Sequence, residues 1–460
     1  MKKLIFTIVA LAILFVGCVN TSDDQEKNGQ TKKSNNLVSK VKHPEWSKNA
    51  TIYEVNLRQF TNEGTILAFM KQMPRLRNMG VDILWFMPIH PIGKKNRKGT
   101  LGSYYSVQDY EAVSHEFGYI DEFTKMVELA HILGMKVIID WVANHSAWDH
   151  AWVTQHPEWY DKGPDGKMYS PFDWSDVVQL DYDNQDLRRA MIKAMKYWLV
   201  EANIDGFRCD VAGMVPTDFW DEARIELDKI KPVFMLAESE EDELLIDAFD
   251  MDYGWGLHHI SNLIARGDTT ANALERYFNN LKTHFPKGAY KMNFTSNHDE
   301  NSWNGTVHER YGAGYKTFAV LMATVPGMPL IYTGQESGLD KRLDFFEKDI
   351  VEWADYPLQD FYRILLNTKK ANKALWNGDF GGGLKRVETN NDEAVFLFTR
   401  QKEGDAIFVI LNLTGTKQDI TLLGNDYIGT YSNIFDKEKV TFIEGHELQL
   451  GPWEFRVYEK

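Results

Sequence analysis

From Thr51 onward, short apolar runs alternate with amphipathic stretches of helix length. This alternation is typical of repeated βα units built around a parallel sheet. The runs with the length and composition of buried strands are 52–57, 81–87, 136–141, 206–209, 233–236, 248–251, 291–295 and 329–332. An open doubly wound sheet is the alternative, but eight units favour an α/β fold closed as a (β/α)8 TIM barrel.

The third unit of this pattern contains a long insertion, which we place at residues 142–186 as a small B domain. A connection of that length inside a compact domain is usually functional or a small domain of its own. Five of the 14 tryptophans fall between residues 141 and 174, namely Trp141, Trp148, Trp152, Trp159 and Trp174. They predict either an aromatic platform that faces a ligand or a hydrophobic core for the insertion.

The hydrophobic pattern changes near residue 375. Beyond it, the segments 394–400, 406–413, 418–422 and 454–458 alternate apolar and polar residues and are separated by turns. Such segments predict an antiparallel β-sandwich. We therefore expect a barrel at residues 45–374 followed by a C-terminal sandwich at 375–460.

The first residues have the features of an export signal. Two lysines precede an apolar run that is too short to cross a bilayer, so residues 1–17 are interpreted as a signal peptide. The stretch ending at Cys18 resembles a bacterial lipoprotein box, in which that thiol is acylated; an ordinary secretory signal is the alternative. Residues 18–44 are polar and predict a flexible tether. We expect a lipid-anchored protein of the outer membrane, displayed at the cell surface.

The amino-acid composition argues against some classes of function. The formal net charge is −15, which argues against a nucleic-acid partner because phosphate affinity needs clustered Lys and Arg. Hydrophobic residues make up 43% and charged residues 25%, as in ordinary globular proteins. The two cysteines, Cys18 and Cys209, indicate no disulfide framework. By strand alternation, Cys209 is predicted to be a buried hydrophobe in the barrel wall.

Ionisable side chains stand at the ends of several predicted strands, where a barrel of this type gathers its functional groups. They are Asp140, His145, Arg208, Asp210, Glu238, His298 and Asp299. Burying so many carboxylates together is costly, and a structural role rarely justifies it. Two carboxyl groups on either side of an acetal carbon are what glycoside cleavage requires.

The ordered motifs that carry these residues resemble the signature regions of the α-amylase family of retaining glycoside hydrolases. They are Asp-Trp-Val-Ala-Asn-His at 140–145, Gly-Phe-Arg-Cys-Asp at 206–210, Glu238, and Asn-His-Asp at 297–299. Further matches lie at 80–88, 105–110 and 327–336. The resemblance implies a barrel, an inserted domain and a C-terminal sandwich over about residues 45–460.

The resemblance also implies roles for the carboxyl groups. Asp210 is expected to be the nucleophile that forms a covalent glycosyl ester, Glu238 the acid and base, and Asp299 the carboxylate that holds the sugar distorted. Arg208 lies two residues before Asp210 on one strand, so it faces the same side and should keep Asp210 ionised. Glu238 needs a raised pKa while that of Asp210 stays low. Retention predicts carboxyl groups about 5 to 5.5 Å apart.

The remaining matches concern binding. By the resemblance, His145 and His298 bind sugar hydroxyls, Tyr105 stacks on the same sugar, and Asp140 supports Arg208. No cofactor is needed for the chemistry. Asn144 matches one ligand of the structural calcium found in many members of the family.

The motif Val-Val-Gln-Leu-Asp at 177–181 departs from the family at that calcium site. It has Gln179 where calcium binders usually have an aspartate. A neutral amide is a poorer ligand for a hard cation than a carboxylate. A structural calcium is therefore the weaker of the two alternatives.

Specificity is left open by the sequence. Asp210 is followed by Val211 and Ala212, which resembles neopullulanases more than typical α-amylases. The expected substrate is a starch-like α-glucan or maltooligosaccharide, cut at α-1,4 bonds, with α-1,6 activity or glucanotransfer as alternatives. A catalytically silent glucan-binding or transporter-partner protein is the non-enzymatic alternative, although such proteins usually lack one of the three carboxylates. No protein partner is indicated.

Overall fold

The computed structural model describes residues 37–460. The predicted signal peptide, Cys18 and most of the predicted tether lie outside this range. Eight parallel strands close into a barrel, the first pairing with the eighth, so the predicted fold class is confirmed. The barrel strands are Ile52–Val55, Ile83–Phe86, Lys136–Trp141, Gly206–Cys209, Phe234–Ala237, Met251–Tyr253, Tyr290–Asn293 and Met328–Tyr332.

The sixth barrel strand is displaced from its predicted position at 248–251. It begins only at Met251, because Ala248 still belongs to the end of the helix Leu244–Asp247. The intervening Asp250 accepts hydrogen bonds from the Met235 backbone N–H at 2.8 Å and from Arg224 at 2.9 Å. The Asp250 backbone also bonds to both flanking strands, its N–H to the Met235 carbonyl at 2.9 Å and its carbonyl to the Tyr290 N–H at 3.0 Å. The apolar run is buried as expected, but part of it packs under the helix layer.

The barrel strands are buried on both faces, which explains their continuous apolar runs. Inward side chains such as Ile138, Leu236 and Met292 form a core inside the barrel. Outward side chains pack against the surrounding helices. The helices are Leu57–Phe60, Ile66–Met70, Met73–Met79, Ile120–Ile132, Ala151–Gln155, Gln185–Glu201, Thr217–Asp228, Leu244–Asp247, Trp255–Arg266, Asn272–His284, Val307–Tyr311, Tyr315–Thr324 and Gln359–Ala371.

The insertion after the third barrel strand carries a short antiparallel pair, His145–Ala147 with Val177–Gln179. The helix Ala151–Gln155 lies between these two strands. Because His145 follows the third barrel strand so closely, the inserted pair begins at the mouth of the barrel.

The C-terminal region is antiparallel, as predicted. Its six-stranded sheet runs in the order Lys385–Val387, Val395–Lys402, Asp405–Asn412, Phe455–Glu459, Gly429–Asn433 and Lys439–Phe442. A second sheet pairs Gln418–Thr421 with Glu447–Leu450 and packs on one face of the first. The other face packs against barrel helices through residues such as Phe396 and Val409.

The N-terminal end of the described chain contacts the barrel. The Ser39 N–H donates to the Lys287 carbonyl at 3.0 Å, and the His43 ring stacks on Tyr290. His43 Nδ1 also lies 2.7 Å from Asp250. The structure thus differs from the predicted tether, which extended to residue 44, because this segment is bonded to the barrel. Across residues 37–460, no helix has both the length and the apolar character needed to traverse a bilayer.

Candidate active site

A cavity of about 420 Å³ opens at the carboxyl ends of the barrel strands. Six of the predicted site residues line it: Tyr105, His145, Asp210, Glu238, His298 and Asp299. Asp140 and Arg208 are fully buried and touch these residues from within the barrel. Asn144 does not line the cavity; its side chain bonds to the insertion.

Arg208 contacts three carboxyl groups of the site. Its Nη1 donates to Asp140 at 2.7 Å and to Asp210 at 2.9 Å. Its Nη2 lies 2.8 Å from Glu238 Oε2, as an ion pair without the alignment of a hydrogen bond. Three carboxyl groups therefore converge on one guanidinium, whose planar fork sets their spacing.

The Asp210 and Glu238 carboxyl groups resist ionisation because they are buried. Burial raises the pKa of Asp210 to about 6 although Arg208 opposes the shift. Burial raises the pKa of Glu238 further, to about 7, with Asp210 and Asp299 adding to the effect. At neutral pH, Asp210 is mainly ionised and Glu238 is protonated in a large fraction of molecules.

The pKa of Asp210 was expected to stay low, and this expectation is wrong. One guanidinium nitrogen is shared between Asp210 and Asp140, so its stabilisation of the nucleophile candidate is divided. Nevertheless, the order of the two pKa values is the expected one, with that of Glu238 above that of Asp210.

His298 links the cavity to the first barrel strand. Its Nδ1 lies 2.5 Å from Glu54, and its Nε2 lies 2.7 Å from the Tyr105 hydroxyl and 3.3 Å from Asp299. Burial lowers the pKa of His298, but the Asp299 and Glu54 carboxylates outweigh it and raise the pKa to about 9. The ring is therefore a cation that donates to Tyr105, whose hydroxyl donates to Asp140 at 3.1 Å.

Glu54 was missed by the sequence reasoning. A carboxylate inside a four-residue strand that is otherwise apolar or aromatic was the available signal. Trp85 and Tyr253 were missed as well. The Trp85 indole donates to Asp140 at 3.2 Å, and the Tyr253 hydroxyl accepts from Arg208 Nε at 3.0 Å. Glu54 contacts the cationic His298, Tyr253 contacts Arg208, and Trp85 contacts the Asp140 carboxyl that pairs with Arg208.

His145 differs from His298 in charge. It is 3% exposed, and burial lowers its pKa to about 4, so the ring is neutral near pH 7. The Trp174 ring lies 5.4 Å away. A neutral imidazole can both donate and accept, which suits contact with a sugar hydroxyl.

Backbone strain marks the residue after Asp210. Val211 has φ of 38°, a left-handed conformation that a β-branched residue rarely adopts. Its N–H donates to Glu238 Oε2 at 2.8 Å. The strained turn thus connects the two principal carboxyl groups of the cavity through the backbone, and such strain is concentrated at functional sites.

The tryptophans of the insertion do not form a common platform. Trp141 and Trp159 are buried in the outer core, and Trp148 and Trp152 pack against it. Only Trp174 of the five lines the cavity. The other four are therefore core residues, but of the core that the insertion shares with the barrel and its helices, and not of a separate core of the insertion.

Other aromatic residues line the cavity on the loops that follow the second, seventh and eighth barrel strands. Tyr105 and Phe345 stack with ring centroids 6.1 Å apart, and Trp303 lies 5.3 Å from Phe345. Trp303 remains 52% exposed at the outer end of this row. The row is an extended aromatic wall leading away from the carboxyl groups.

The residues at the family's calcium position do not fit a cation. The Gln179 amide nitrogen donates to the Asn144 side-chain oxygen and backbone carbonyl, both at 3.0 Å, and lies 3.2 Å from the Leu180 carbonyl. A nitrogen carrying hydrogens therefore stands where a cation would need oxygen ligands. In the part of the chain from residue 37 onward, no group of three or more His, Cys, Asp or Glu side chains could hold a metal.

Cys209 lies in the outer core beside the helices, fully buried. Burial raises the pKa of its thiol well above the ordinary value, which suits an inert hydrophobe. The sequence prediction for this residue is confirmed.

A closed parallel barrel with paired carboxyl groups at its mouth defines a class of protein, the barrel glycosidases. The family model for the alpha-amylase catalytic domain matches residues 45–165 and 156–378. The chain belongs to the alpha-amylase family of glycoside hydrolases.

Individual relatives agree with this assignment. The chain is 27% identical to alpha-amylase MalA of Haloarcula japonica, with 80% of this chain and 56% of that protein covered. It is 24% identical to alpha-amylase 3 of Dictyoglomus thermophilum, covering 89% of this chain and 92% of the relative. The chain thus spans little more than half the length of the first relative and nearly all of the second.

Solved structures show the same architecture. The maltogenic alpha-amylase AmyB of Thermotoga neapolitana superposes with a TM-score of 0.81 at 30% identity, covering 89% of this chain and 98% of AmyB. An alpha-amylase from Lactobacillus plantarum gives 0.79 at 30% identity, covering 90% and 99%. Barrel and C-terminal sheet therefore belong to one shared architecture.

Proposed function

We propose that the protein hydrolyses α-1,4-glucosidic bonds of starch-like glucans or maltooligosaccharides with net retention of anomeric configuration. The observation that carries this proposal is the single guanidinium of Arg208 contacting both Asp210 and Glu238. The two carboxyl groups contact the two terminal nitrogens of one guanidinium, Asp210 at 2.9 Å and Glu238 at 2.8 Å. This arrangement supports the short separation of about 5 to 5.5 Å that a direct nucleophile requires, rather than the separation of about 6.5–9.5 Å that an inverting enzyme needs for its water.

The first half-reaction follows from the protonation states. The Asp210 carboxylate attacks the anomeric carbon, forming the glycosyl–oxygen bond of an ester as the bond to the leaving oxygen breaks. Glu238 donates its proton to that oxygen, so the departing sugar leaves as a neutral alcohol. The raised pKa of Glu238, about 7, lets it hold this proton near neutral pH.

In the second half-reaction, Glu238 is the base. It takes a proton from water as the water oxygen attacks the anomeric carbon, and the ester bond to Asp210 breaks. The backbone N–H of Val211 and Arg208 both contact Glu238 Oε2 and stabilise its charged form in this step. Two inversions at the same carbon give net retention.

Around the reacting carbon, the remaining groups bind hydroxyls. Asp299 is partly open to the cavity, with its side chain 37% exposed. His145 supplies a neutral imidazole, and the aromatic wall supplies apolar ring faces for sugars beyond the cut. Relatives and neighbours include a maltogenic alpha-amylase of Bacillus acidopullulyticus and a cyclomaltodextrinase of a Bacillus species. Maltooligosaccharides and cyclodextrins are therefore the first substrates to test.

Mechanism-based trapping tests the proposal. A 5-fluoro-α-glucosyl or maltosyl fluoride should inactivate the enzyme, and peptide mapping should find the label on Asp210. Proton NMR of the first product from maltoheptaose should show the α-anomer. Label on another side chain, or a β-anomer as first product, would reject the mechanism. Product profiles on maltoheptaose, pullulan and γ-cyclodextrin separate hydrolysis, α-1,6 activity and glucanotransfer.

The proposal also includes export and lipid anchoring through Cys18. The support is the sequence alone: a short apolar run, then Gly17 and Cys18, then an acidic start to the tether. Metabolic labelling with an alkyne fatty acid should mark the wild-type protein and not Cys18→Ser. Extracellular protease digestion of intact cells should remove the protein if it is displayed at the surface. Unlabelled wild-type protein would reject the anchor.

A further inference from the structure

The oxygen atoms around Gln179 form a small cage at the junction between the insertion and the barrel. The Gln179 amide nitrogen contacts the Asn144 side-chain oxygen, the Asn144 carbonyl and the Leu180 carbonyl at 3.0, 3.0 and 3.2 Å. Three oxygens around one point could contribute ligands to a cation, but the Gln179 amide nitrogen occupies that point.

The pair of amides is reciprocal. Asn144 Nδ2 donates back to Gln179 Oε1 at 3.3 Å, so the two side chains pair head to tail. Asn144 is fully buried. The position that a metal ion would occupy beside it is filled by the neutral amide group of Gln179. No carboxylate is among the hydrogen-bond partners of either amide. The cage therefore has the polarity of a neutral hydrogen-bond site and lacks the negative charge that a divalent cation would require.

The cage is coupled to the cavity. Gln179 lies opposite His145 in the inserted strand pair, and Asn144 is the residue immediately before His145. Asn144 Nδ2 also lies 3.2 Å from His145 Nδ1. A change at Gln179 is thus transmitted over two contacts to an imidazole that lines the cavity.

We propose that the Gln179 amide takes the place of a structural cation: it holds the inserted strand pair to the segment at Asn144 that leaves the third barrel strand, and it positions His145 without any metal. Gln179 is a positioning residue, because it acts on the cavity only through Asn144 and His145. Only the link from His145 to sugar binding rests on the proposed function. The metal-free junction itself stands on the cage geometry.

Thermal unfolding of the full chain tests the junction directly. The wild-type melting temperature should be the same in EDTA and in millimolar calcium. Gln179→Glu places a carboxylate against three oxygens, so in EDTA its melting temperature should fall by about 2 to 6 °C. Calcium should restore most of that loss, because the variant completes an oxygen site for the cation.

Two further variants make the outcome decisive. Gln179→Met removes the donor without adding charge, so it should lose similar stability that calcium does not restore. Gln155→Glu is the matched control: an exposed glutamine on the inserted helix, without a hydrogen-bond partner from its side chain. It should show no calcium effect.

The results that overturn the proposal are equally definite. A wild-type protein that loses stability in EDTA and regains it with calcium would show that a cation holds the fold. A Gln179→Met variant as stable as wild type would show that the amide does not stabilise the junction.

If the junction positions His145, Gln179→Met should raise KM for maltoheptaose about three- to tenfold while kcat changes less than twofold. An unchanged KM with lowered stability would limit Gln179 to the fold. Total inactivity of the wild type would instead reject the proposed function and leave the stability result intact.

Discussion

Two clusters of buried charge lie in the same barrel, one facing inward and one outward. At the mouth, Asp140, Asp210 and Glu238 share the cation of Arg208. In the wall, the Lys291 amine pairs with Asp252 at 2.7 Å and, more distantly, with Glu240 at 3.6 Å. Asp140, Arg208, Asp210, Asp252 and Lys291 are buried, and the Glu238 side chain is 14% exposed.

The comparison shows that a shifted pKa alone does not mark a functional site. Burial raises the pKa of Asp252 to about 7, as high as that of Glu238. The mouth cluster, however, opens on a cavity of about 420 Å³, whose lining includes Glu238 but not Asp252. Access to this cavity therefore distinguishes the reactive cluster from the structural one.

The largest expected effect separates the clusters by activity. Asp210→Asn removes the nucleophile and should lower the rate of reducing-sugar release from soluble starch by at least about 10⁴-fold, or roughly 5.5 kcal/mol of barrier. Asp252→Asn is the matched control in the wall and should keep kcat/KM within about threefold, measured on the folded fraction. Equal losses in the two variants would contradict the division between reactive and structural carboxyls.

The second prediction distinguishes the two clusters by the effect of a substitution on the free energy of unfolding. Lys291→Met leaves Asp252 buried without its cation, and breaking a buried pair this way costs about 3 to 5 kcal/mol. The loss in unfolding free energy should be larger at pH 8 than at pH 5, where Asp252 can take up a proton. Urea unfolding at the two pH values measures the difference. The double change with Asp252→Asn should recover much of it.

The sign of that pH dependence follows from linkage. A carboxyl whose pKa is higher in the folded than in the unfolded chain reduces stability as the pH rises between the two values. In the wild type this interval runs for Asp252 from its ordinary value of about 4 to about 7. Lys291→Met removes a charge that lowers this pKa, so in the variant the interval extends above 7, and the extra loss of stability develops there. A loss of stability in Lys291→Met that is independent of pH would contradict this assignment.

A third effect concerns the cationic His298 at the edge of the mouth cluster. Glu54→Gln keeps the size of the side chain but removes a charge that holds the proton, so the pKa of His298 should fall below its value of about 9. The ratio of variant to wild-type kcat/KM should fall as the pH rises through the lowered pKa of His298, to about tenfold below wild type at pH 8.5, with little change at pH 6; the alkaline limb set by Glu238 is common to both proteins. A uniform loss at every pH, with a lowered melting temperature, would indicate a structural role only.

The smallest effect extends the comparison to the rim of the cavity. Trp303→Ala removes the exposed end of the aromatic wall and should raise KM for maltoheptaose about fivefold, or roughly 1 kcal/mol. Maltotriose should be little affected if it does not reach this ring. Phe380→Ala, another exposed aromatic that does not line the cavity, is the control. Equal effects on both substrates would contradict a binding surface at Trp303.

Much of this fold was predictable because parallel strands buried on both faces leave continuous apolar runs. All eight runs contribute a barrel strand, and only the sixth is displaced, because the helix Leu244–Asp247, which is capped by Ala248, takes up the start of its run. The insertion tryptophans show the limit of composition. Their number predicted aromatic contacts but could not distinguish a ligand surface from the core that four of them join or pack against.

The order of the residues along the chain determined the barrel, the motif positions and the group of residues at the mouth. Local pattern suffices for these, because strand alternation and the common direction of the strand ends dictate where side chains point. The tertiary structure alone decided the pairings: Glu54 with His298, one guanidinium among three carboxyl groups, and the Gln179 amide inside its oxygen cage. Each of these depends on the distance between segments far apart in sequence, and on the burial that sets the charge of each group.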